Sequence, residues 1–317
     1  MPLQISYLSE DFPNLGPVTN GTQILSVEWD EILWAAITIG RPDWFHVIAH
    51  GRSSFYEVIF RWSMLRMALE QTSQNSTQLR RTPAAKHLDP TEKGAVNYFI
   101  GMVIAKLFAW RLLGAPWLLH LDIFRAQLNV MLSGRSRPDL IGQINGTNQW
   151  IVLECKGRVS APDDDAKEKA KNQSLRVTSI SGVAPSYHIG AVTYLRRDAI
   201  TFFWRDPMNE NSLEDSSGYK VEVDPEAWRY YYQLAMAFVR EDERAVPNTV
   251  ESREAITDVS VKIHPIILEA LEKENWEVAR SLCSEIANEL KEGGYNIDGI
   301  AVKAGPSWSK RFVEPGP

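Results

Sequence analysis

The chain has 317 residues, 44% of them hydrophobic and 23% charged, which excludes a disordered or fibrous protein and allows one large domain or two small ones. Its two cysteines, Cys155 and Cys283, exclude a disulfide framework and a cysteine zinc site, so a reducing, cytoplasmic setting is expected. A net charge of −6 and a pI near 5.6 argue against simple binding of a polyanion, so any phosphate footprint has to be local.

Residues 1–85 are expected to form an accessory region. The start carries no charged-then-apolar signal segment, and no membrane association is expected. Gln23 to Val27 reads as a strand, and helical patterns begin at Glu28 and cover Ser54 to Gln71. His46 and His50 are four apart and can share a helix face, but no acid lies between them and no third ligand is near, so packing or surface roles are preferred to zinc. Gln71 to Arg81, rich in Ser, Thr, Asn and Gln, reads as a polar linker.

The segment 86–208 has the pattern of a core. Asp89-Pro90-Thr91-Glu92 is a helix start, with Asp89 as N-cap, proline at the first helical position and Glu92 placed for a capping box. Val96, Phe99, Ile100, Val103, Ile104, Leu107 and Phe108 carry the helix to about Leu113, and Gly114 and Pro116 stop it. Lys106 and Arg111 interrupt its apolar face and the pattern falls short of the roughly 20 residues a membrane span needs, so a buried core helix is expected. Trp117 to Phe124 reads as a first strand. Arg137-Pro138-Asp139-Leu140-Ile141-Gly142 and Trp150 to Arg158 are two apolar runs joined through Asn145-Gly146, a strong hairpin signal. A helix follows from near Asp163, with Ala166, Ala170, Gln173 and Val177 on one face, where Gln173 either needs a polar partner or stands half exposed to water. Tyr187 to Leu195 is the last core strand, and Ile200 to Trp204 pairs with it across Arg196-Arg197-Asp198.

Residues 209–317 form a second accessory region. Asn209 to Gly218 is loop-like, Pro225 to Arg240 and Pro265 to Leu290 are helical, and Tyr295 to Ala304 is a strand. Trp228, Tyr230, Tyr231 and Tyr232 have the means to stack on bases, but packing in a core or subunit interface is preferred.

Alternate side chains of an extended run share a face, so Glu154 and Lys156 point one way and Cys155 the other. Asp139 at the head of the neighbouring run adds a second acid. Two carboxylates suit a hard divalent cation, and the lysine adds a fixed positive charge beside it. Pro-Asp recurs at Pro42-Asp43 and Pro162-Asp163, and acid-x-Lys at Asp165-Ala166-Lys167 and Glu289-Leu290-Lys291. Context selects among them, because only Asp139 and Glu154 each sit on a strand-like run of the same hairpin.

Pro138-Asp139 and Glu154-Cys155-Lys156, over about Asp89 to Trp204, resemble the PD-(D/E)xK superfamily of restriction-endonuclease-like phosphodiesterases. The resemblance implies an α/β restriction-endonuclease-like core of helix, three strands, helix and strand. It would form a mixed central sheet flanked by helices, with mainly helical accessory regions at both ends. It implies Mg2+-dependent cleavage of DNA, with Mn2+ able to substitute. Asp139, Glu154 and the backbone carbonyl of Cys155 would hold the metal, and Lys156 would orient water or stabilise the pentavalent phosphate. Members often carry an acid on the first helix, which singles out Glu92, although capping alone explains it. Some families place a glutamine on the second helix, which singles out Gln173.

Arg135, Arg137, Lys156, Arg158, Lys167, Lys169, Lys171 and Arg176 cluster around this segment, and Arg137, Arg158, Lys169 and Lys171 are the leading candidates for nucleic-acid contact. A solvated helix face, balanced by Asp163 to Asp165, explains the helix lysines equally well. Expected partners are DNA, a second copy for two-strand cutting, and an activating protein or ligand of the kind that gates a bacterial or phage restriction or defence effector. The alternatives left open are a nuclease for RNA or junctions and a catalytically silent nucleic-acid-binding subunit.

Overall fold

Strict alternation at the N-terminus builds the first strand, β1 (Leu3–Glu10), which turns Leu3, Ile5, Tyr7 and Ser9 inward. The structure, a computed structural model, describes residues 2–14, 16–39, 52–71, 77–121, 137–206, 218–240 and 250–310. His46, His50, Asp43 and Arg135 lie outside these residues. β1 pairs antiparallel with β2 (Gly21–Val27), and α1 (Trp29–Thr38) follows on a capping box between Glu28 and Glu31. Next come α2 (Arg52–Ala68), β3 (Leu69–Gln71), β4 (Leu79–Arg81) and α3 (Pro83–His87). The stretch read as a polar linker therefore ends in a short strand, and β4 touches the central sheet at Ala199. β1 in turn runs parallel to β10 (Ala199–Arg205) within the central sheet.

From Pro90 to Arg205 the chain runs through a helix, three strands, a second helix and three more strands. Helix α4 (Pro90–Leu113) opens on the Asp89 and Glu92 capping box and ends at Gly114, whose φ of 64° is the left-handed cap that a glycine adopts without strain. Strands β5 (Trp117–His120), β6 (Leu140–Gln143) and β7 (Trp150–Gly157) form an antiparallel meander, and Gly146 turns the second hairpin at φ 69°. Helix α5 (Asp164–Ser174) is capped by Asp163 and leads through β8 (Val177–Ile180) to β9 (Tyr187–Arg196), which returns parallel to β7. β10 (Ala199–Arg205) pairs with β9 through Arg197 and Asp198, both at positive φ, as a two-residue hairpin of right-handed twist requires. Val177, expected on the helix, instead begins β8. The segment Val177-Thr178-Ser179-Ile180 carries β-branched residues, and it pairs with β11 (Tyr219–Val221).

Among the described residues the central sheet has nine strands, in the order β2-β1-β10-β9-β7-β6-β5 with β4 and β3 branching from β10. Mixed pairing and helices on both faces make this an α/β protein. The two helices reach the sheet at glycines. A Cβ at Gly157 would sit 1.7 Å from the Asn97 carbonyl oxygen of α4, and one at Gly190 would sit 2.7 Å from the Lys171 nitrogen of α5. Gly157 shares the Cys155 face of β7, whereas Gly190 is paired with Glu154, so α4 and α5 lie on opposite faces.

α4 has the 24 residues that its start and stop signals delimit, so its length does not exclude a membrane span. Burial answers the question instead: 67% of its most apolar stretch is enclosed by the fold. Lys106, which interrupts that stretch, is itself fully buried. Its ammonium donates to the carbonyls of Thr38 (2.7 Å) and Pro116 (3.1 Å) and lies over the rings of Trp34 and Tyr231.

The C-terminal part comprises a 3-10 turn (Pro225–Trp228), α6 (Arg229–Val239), α7 (Val250–Thr257), β12 (Val259–Ile263), α8 (Pro265–Glu272), α9 (Trp276–Glu285), α10 (Ala287–Glu292) and β13 (Ile300–Ala304). The expected helix over Pro265–Leu290 is broken where Glu274 takes a φ of 58°. The strand expected from Tyr295 starts only at Ile300, because Asn296 to Gly299 form a turn. Tyr230, Tyr231 and Tyr232 are all buried, so packing is their role. Tyr231 and the indole of Trp34 both donate to Asp298 Oδ2 at 2.7 Å, and Ile300 N donates to Oδ1 at 3.0 Å.

Gly157→Ala is expected to force α4 off β7 and lower stability by roughly 1–3 kcal/mol or more, read from urea unfolding. Asp298→Ala should cost more, roughly 3–5 kcal/mol by the same measurement, because it strands three buried donors.

Candidate active site

The register of the β6–β7 hairpin pairs Leu140 with Leu153, so the next rung sets Asp139 beside Glu154. The Cys155 amide donates to Asp139 Oδ2 at 2.8 Å, and Leu121 N binds the Asp139 carbonyl at 2.8 Å, fixing this residue to the strands on either side. Glu154 is only 3% exposed. As alternation predicted, Cys155 turns its side chain to the opposite, buried layer while Lys156 shares the face of Glu154.

Lys156 Nζ donates to Glu154 Oε1 at 2.5 Å and to Gln173 Oε1 at 2.7 Å. Gln173 Nε2 in turn donates to the Arg137 carbonyl at 3.4 Å. The glutamine on the apolar stripe of α5 thus finds the partner it needed, and it ties the lysine to the second helix. Asp139, the Glu154 and Lys156 pair on β7, and Gln173 on α5 are brought together from three separate places in the chain.

Burial dominates the electrostatics. It pushes the Glu154 carboxyl up to about 8, with the neighbouring Asp139 charge adding to the rise and Lys156 opposing it. Asp139 is also raised by burial, against the pull of the Cys155 amide and the Tyr98 hydroxyl. Glu154 Oε2 is buried and accepts no hydrogen bond among the described residues. Two adjoining buried carboxyls with one lysine and an unpartnered oxygen form a site short of positive charge. That donor set fits a hard divalent cation. Among the described residues no group of three or more His, Cys, Asp or Glu side chains converges, so a cation here would rest on two carboxylates, backbone oxygen and water. Mg2+ is commonly held in this way.

A cleft of about 400 Å³ opens onto this cluster, walled by Tyr98, Asp139, Glu154, Lys156, Arg158 and Lys169 among others. Arg158 pairs with Asp163 at 3.3 Å and Lys169 with Asp165 at 2.6 Å. Exposed pairs of this kind are weak and solvent-screened, so a competing anion can replace either acid. Lys171 is not on this rim. It lies two residues, and so about 200° around the helix, from Lys169 and is buried. Lys167 turns away towards Glu10, Asp164 and the Phe203 ring. Arg137 contributes its carbonyl to Gln173 and does not line the cleft. Glu92 is likewise absent from the cleft walls. Its carboxylate folds back 3.3 Å from the Asp89 amide, so capping is the role the structure assigns it.

Sequence reasoning missed Tyr98 and His120. The Tyr98 hydroxyl is 3.0 Å from Asp139 Oδ1 and 3.2 Å from His120 Nε2. The available signal was a polar-tipped aromatic lying off the apolar stripe of α4. A larger cleft, about 800 Å³, lies elsewhere, between α2, α7 and Trp308. It is mainly apolar, and its charged members Arg66 and Asp258 bind backbone groups of Ser307 and Lys310, so it holds no converging acids. Chemistry rather than size marks the candidate site.

No protein-family model matches this chain, and no curated protein and no solved structure matches it.

An acid whose folded pKa lies above its free value binds more protons folded than unfolded, so stability falls as pH rises through that interval. For Glu154 the interval runs from the ordinary 4.5 to about 8. In EDTA, Glu154→Gln is therefore expected to melt a few degrees above the wild type near pH 9, with the gap closing towards pH 4.5, measured by thermal unfolding across pH.

Proposed function

We propose that this chain is a Mg2+-dependent phosphodiesterase that cleaves DNA as an endonuclease, built on a restriction-endonuclease-like core. The observation that carries this reading is the buried pair Asp139 and Glu154, with Glu154 Oε2 unpartnered and Lys156 held against it on the same hairpin. Support also comes from the order α4, β5, β6, β7, α5 and β9, that of the PD-(D/E)xK superfamily once β8, which pairs only with β11 outside the central sheet, is set aside.

Asp139, Glu154 and the Cys155 carbonyl would hold the ion. Bound there, Mg2+ or Mn2+ would polarise the scissile phosphate and lower the pKa of an attacking water. The protein's own contribution is placement. The Cys155 amide orients Asp139, and Gln173 steadies the Lys156 ammonium where negative charge builds on the phosphorane oxygens. Arg158 and Lys169, at the mouth of the cleft, would take neighbouring phosphates. The acidic overall balance fits an enzyme that engages DNA through this local rim, and it favours a partner or ligand that switches activity on.

The test is incubation of the purified chain with supercoiled plasmid, linear duplex, single-stranded DNA and RNA, each in Mg2+, Mn2+ or EDTA. Wild type is expected to nick or linearise plasmid only with metal. Asp139→Ala and Glu154→Ala should each lose at least about 100-fold in rate, and cleavage at wild-type rate by either would overturn the assignment. Lys156→Ala should retain Mn2+ binding while losing roughly 100- to 1000-fold in turnover. Cleavage confined to RNA would move the substrate class without moving the site.

A further inference from the structure

The Asp139 carboxylate is gripped at both oxygens by donors from different elements. Oδ2 accepts from the Cys155 amide on β7 at 2.8 Å, and Oδ1 accepts from the Tyr98 hydroxyl on α4 at 3.0 Å. Behind Tyr98, at 3.2 Å, stands Nε2 of His120, the last residue of β5, which is 7% exposed. The same strand end meets Asp139 a second time through the bond from Leu121 N to its carbonyl. We infer that Tyr98 and His120 are positioning residues which lock the orientation of Asp139 for a divalent cation, an inference that rests on the reading of Asp139 and Glu154 as metal ligands.

Proton counting fixes the direction of the relay. An ionised carboxylate only accepts, so the single hydroxyl proton of Tyr98 points at Asp139. The Tyr98 oxygen then has only lone pairs to offer His120, and the histidine must carry its proton on Nε2 to complete the contact. Each oxygen of Asp139 has one lone pair occupied by a donor and another left for a cation. The geometry resembles the way outer partners orient metal-binding side chains in general, where their removal weakens metal affinity by about 10- to 100-fold. The grip also offsets part of the burial that otherwise favours a neutral Asp139.

The experiment is Mn2+ titration of the full chain, by calorimetry or by the electron-spin signal of free Mn2+, without any nucleic acid. Tyr98→Phe, which removes one oxygen and keeps the ring, should weaken Mn2+ binding about 10-fold. His120→Ala should weaken it less, the double variant should be no worse than Tyr98→Phe alone, and His120→Gln, with an amide donor, should recover part of the loss. This non-additivity is what a histidine acting only through the tyrosine requires. Nitrogen NMR of the wild type should find the His120 proton on Nε2. If Tyr98→Phe binds Mn2+ like the wild type while Asp139→Ala does not, the relay is overturned and the metal site stands. If Asp139→Ala and Glu154→Ala also bind like the wild type, the site reading itself fails and takes the relay with it. Should His120→Ala lower the melting temperature, Tyr98→Phe and the NMR tautomer decide the matter, and a proton on Nδ1 alone would overturn the relay.

Discussion

The contact between α4 and β7 at Gly157 sets the geometry of everything around the site. The helix backbone at Asn97 comes so close to the strand that no side chain fits between them. That approach puts Tyr98, the next residue on α4, within reach of the acid at the head of β6. Gly101, one turn further along, again faces the backbone of Lys156 and Gly157, where a Cβ would sit only 3.1 Å away, inside van der Waals contact. A pair of glycines on two elements thus lets a helix serve as one wall of a polar cleft while its other face fills the core. On the far face, Gly190 admits α5 in the same manner, and from there Gln173 reaches Lys156.

The cluster itself is a place where folding works against electrostatics. Two carboxyl groups are removed from water beside one another, and one lysine with a few hydrogen bonds compensates for only part of the charge. A protein under selection for stability alone has no reason to keep such a pair, and apolar residues would pack there more favourably. Strain of this electrostatic kind concentrates at sites of chemistry. Here it has a direction, since the arrangement would be relieved by a bound cation.

The ends of the chain are bound to the core through a second buried polar group. Asp298, near the C-terminus, accepts from Trp34 on α1 and from Tyr231 on α6, and their rings flank the Lys106 ammonium on α4. Burial pulls Lys106 well below the usual lysine range and pushes Asp298 upward, while their attraction offsets part of both shifts. The two parts expected to be accessory are therefore built into the same interior as the core helix. Around them, Trp228 stacks on Trp150 at the start of β7, and Arg280 lies 3.7 Å over the Trp228 ring. The C-terminal helices thereby brace the strand that carries Glu154 and Lys156.

Much of the core was legible because its signals are local. Capping at Asp89 and Glu92, the stop at Gly114, the turn at Asn145-Gly146 and the alternation of Glu154, Cys155 and Lys156 each depend on neighbours within a few residues, and each appears where the residues indicated. Gln173 was legible as a polar group in need of a partner, though not which partner. The misreadings concern pairing at a distance. Val177 leaves the helix because β11 is there to pair with, and Lys171 is buried by the strand that α5 covers. Tyr98 and His120 could not be assigned from periodicity, since 41 and 19 positions separate them from Asp139 in the chain. Sequence alone determined which residues are the candidates for chemistry, apart from Tyr98 and His120, and which local elements hold them. Tertiary structure alone decided which donors close on the carboxylates and which charges are stripped of water, because burial and hydrogen bonding between distant segments arise only when the helices settle on the sheet.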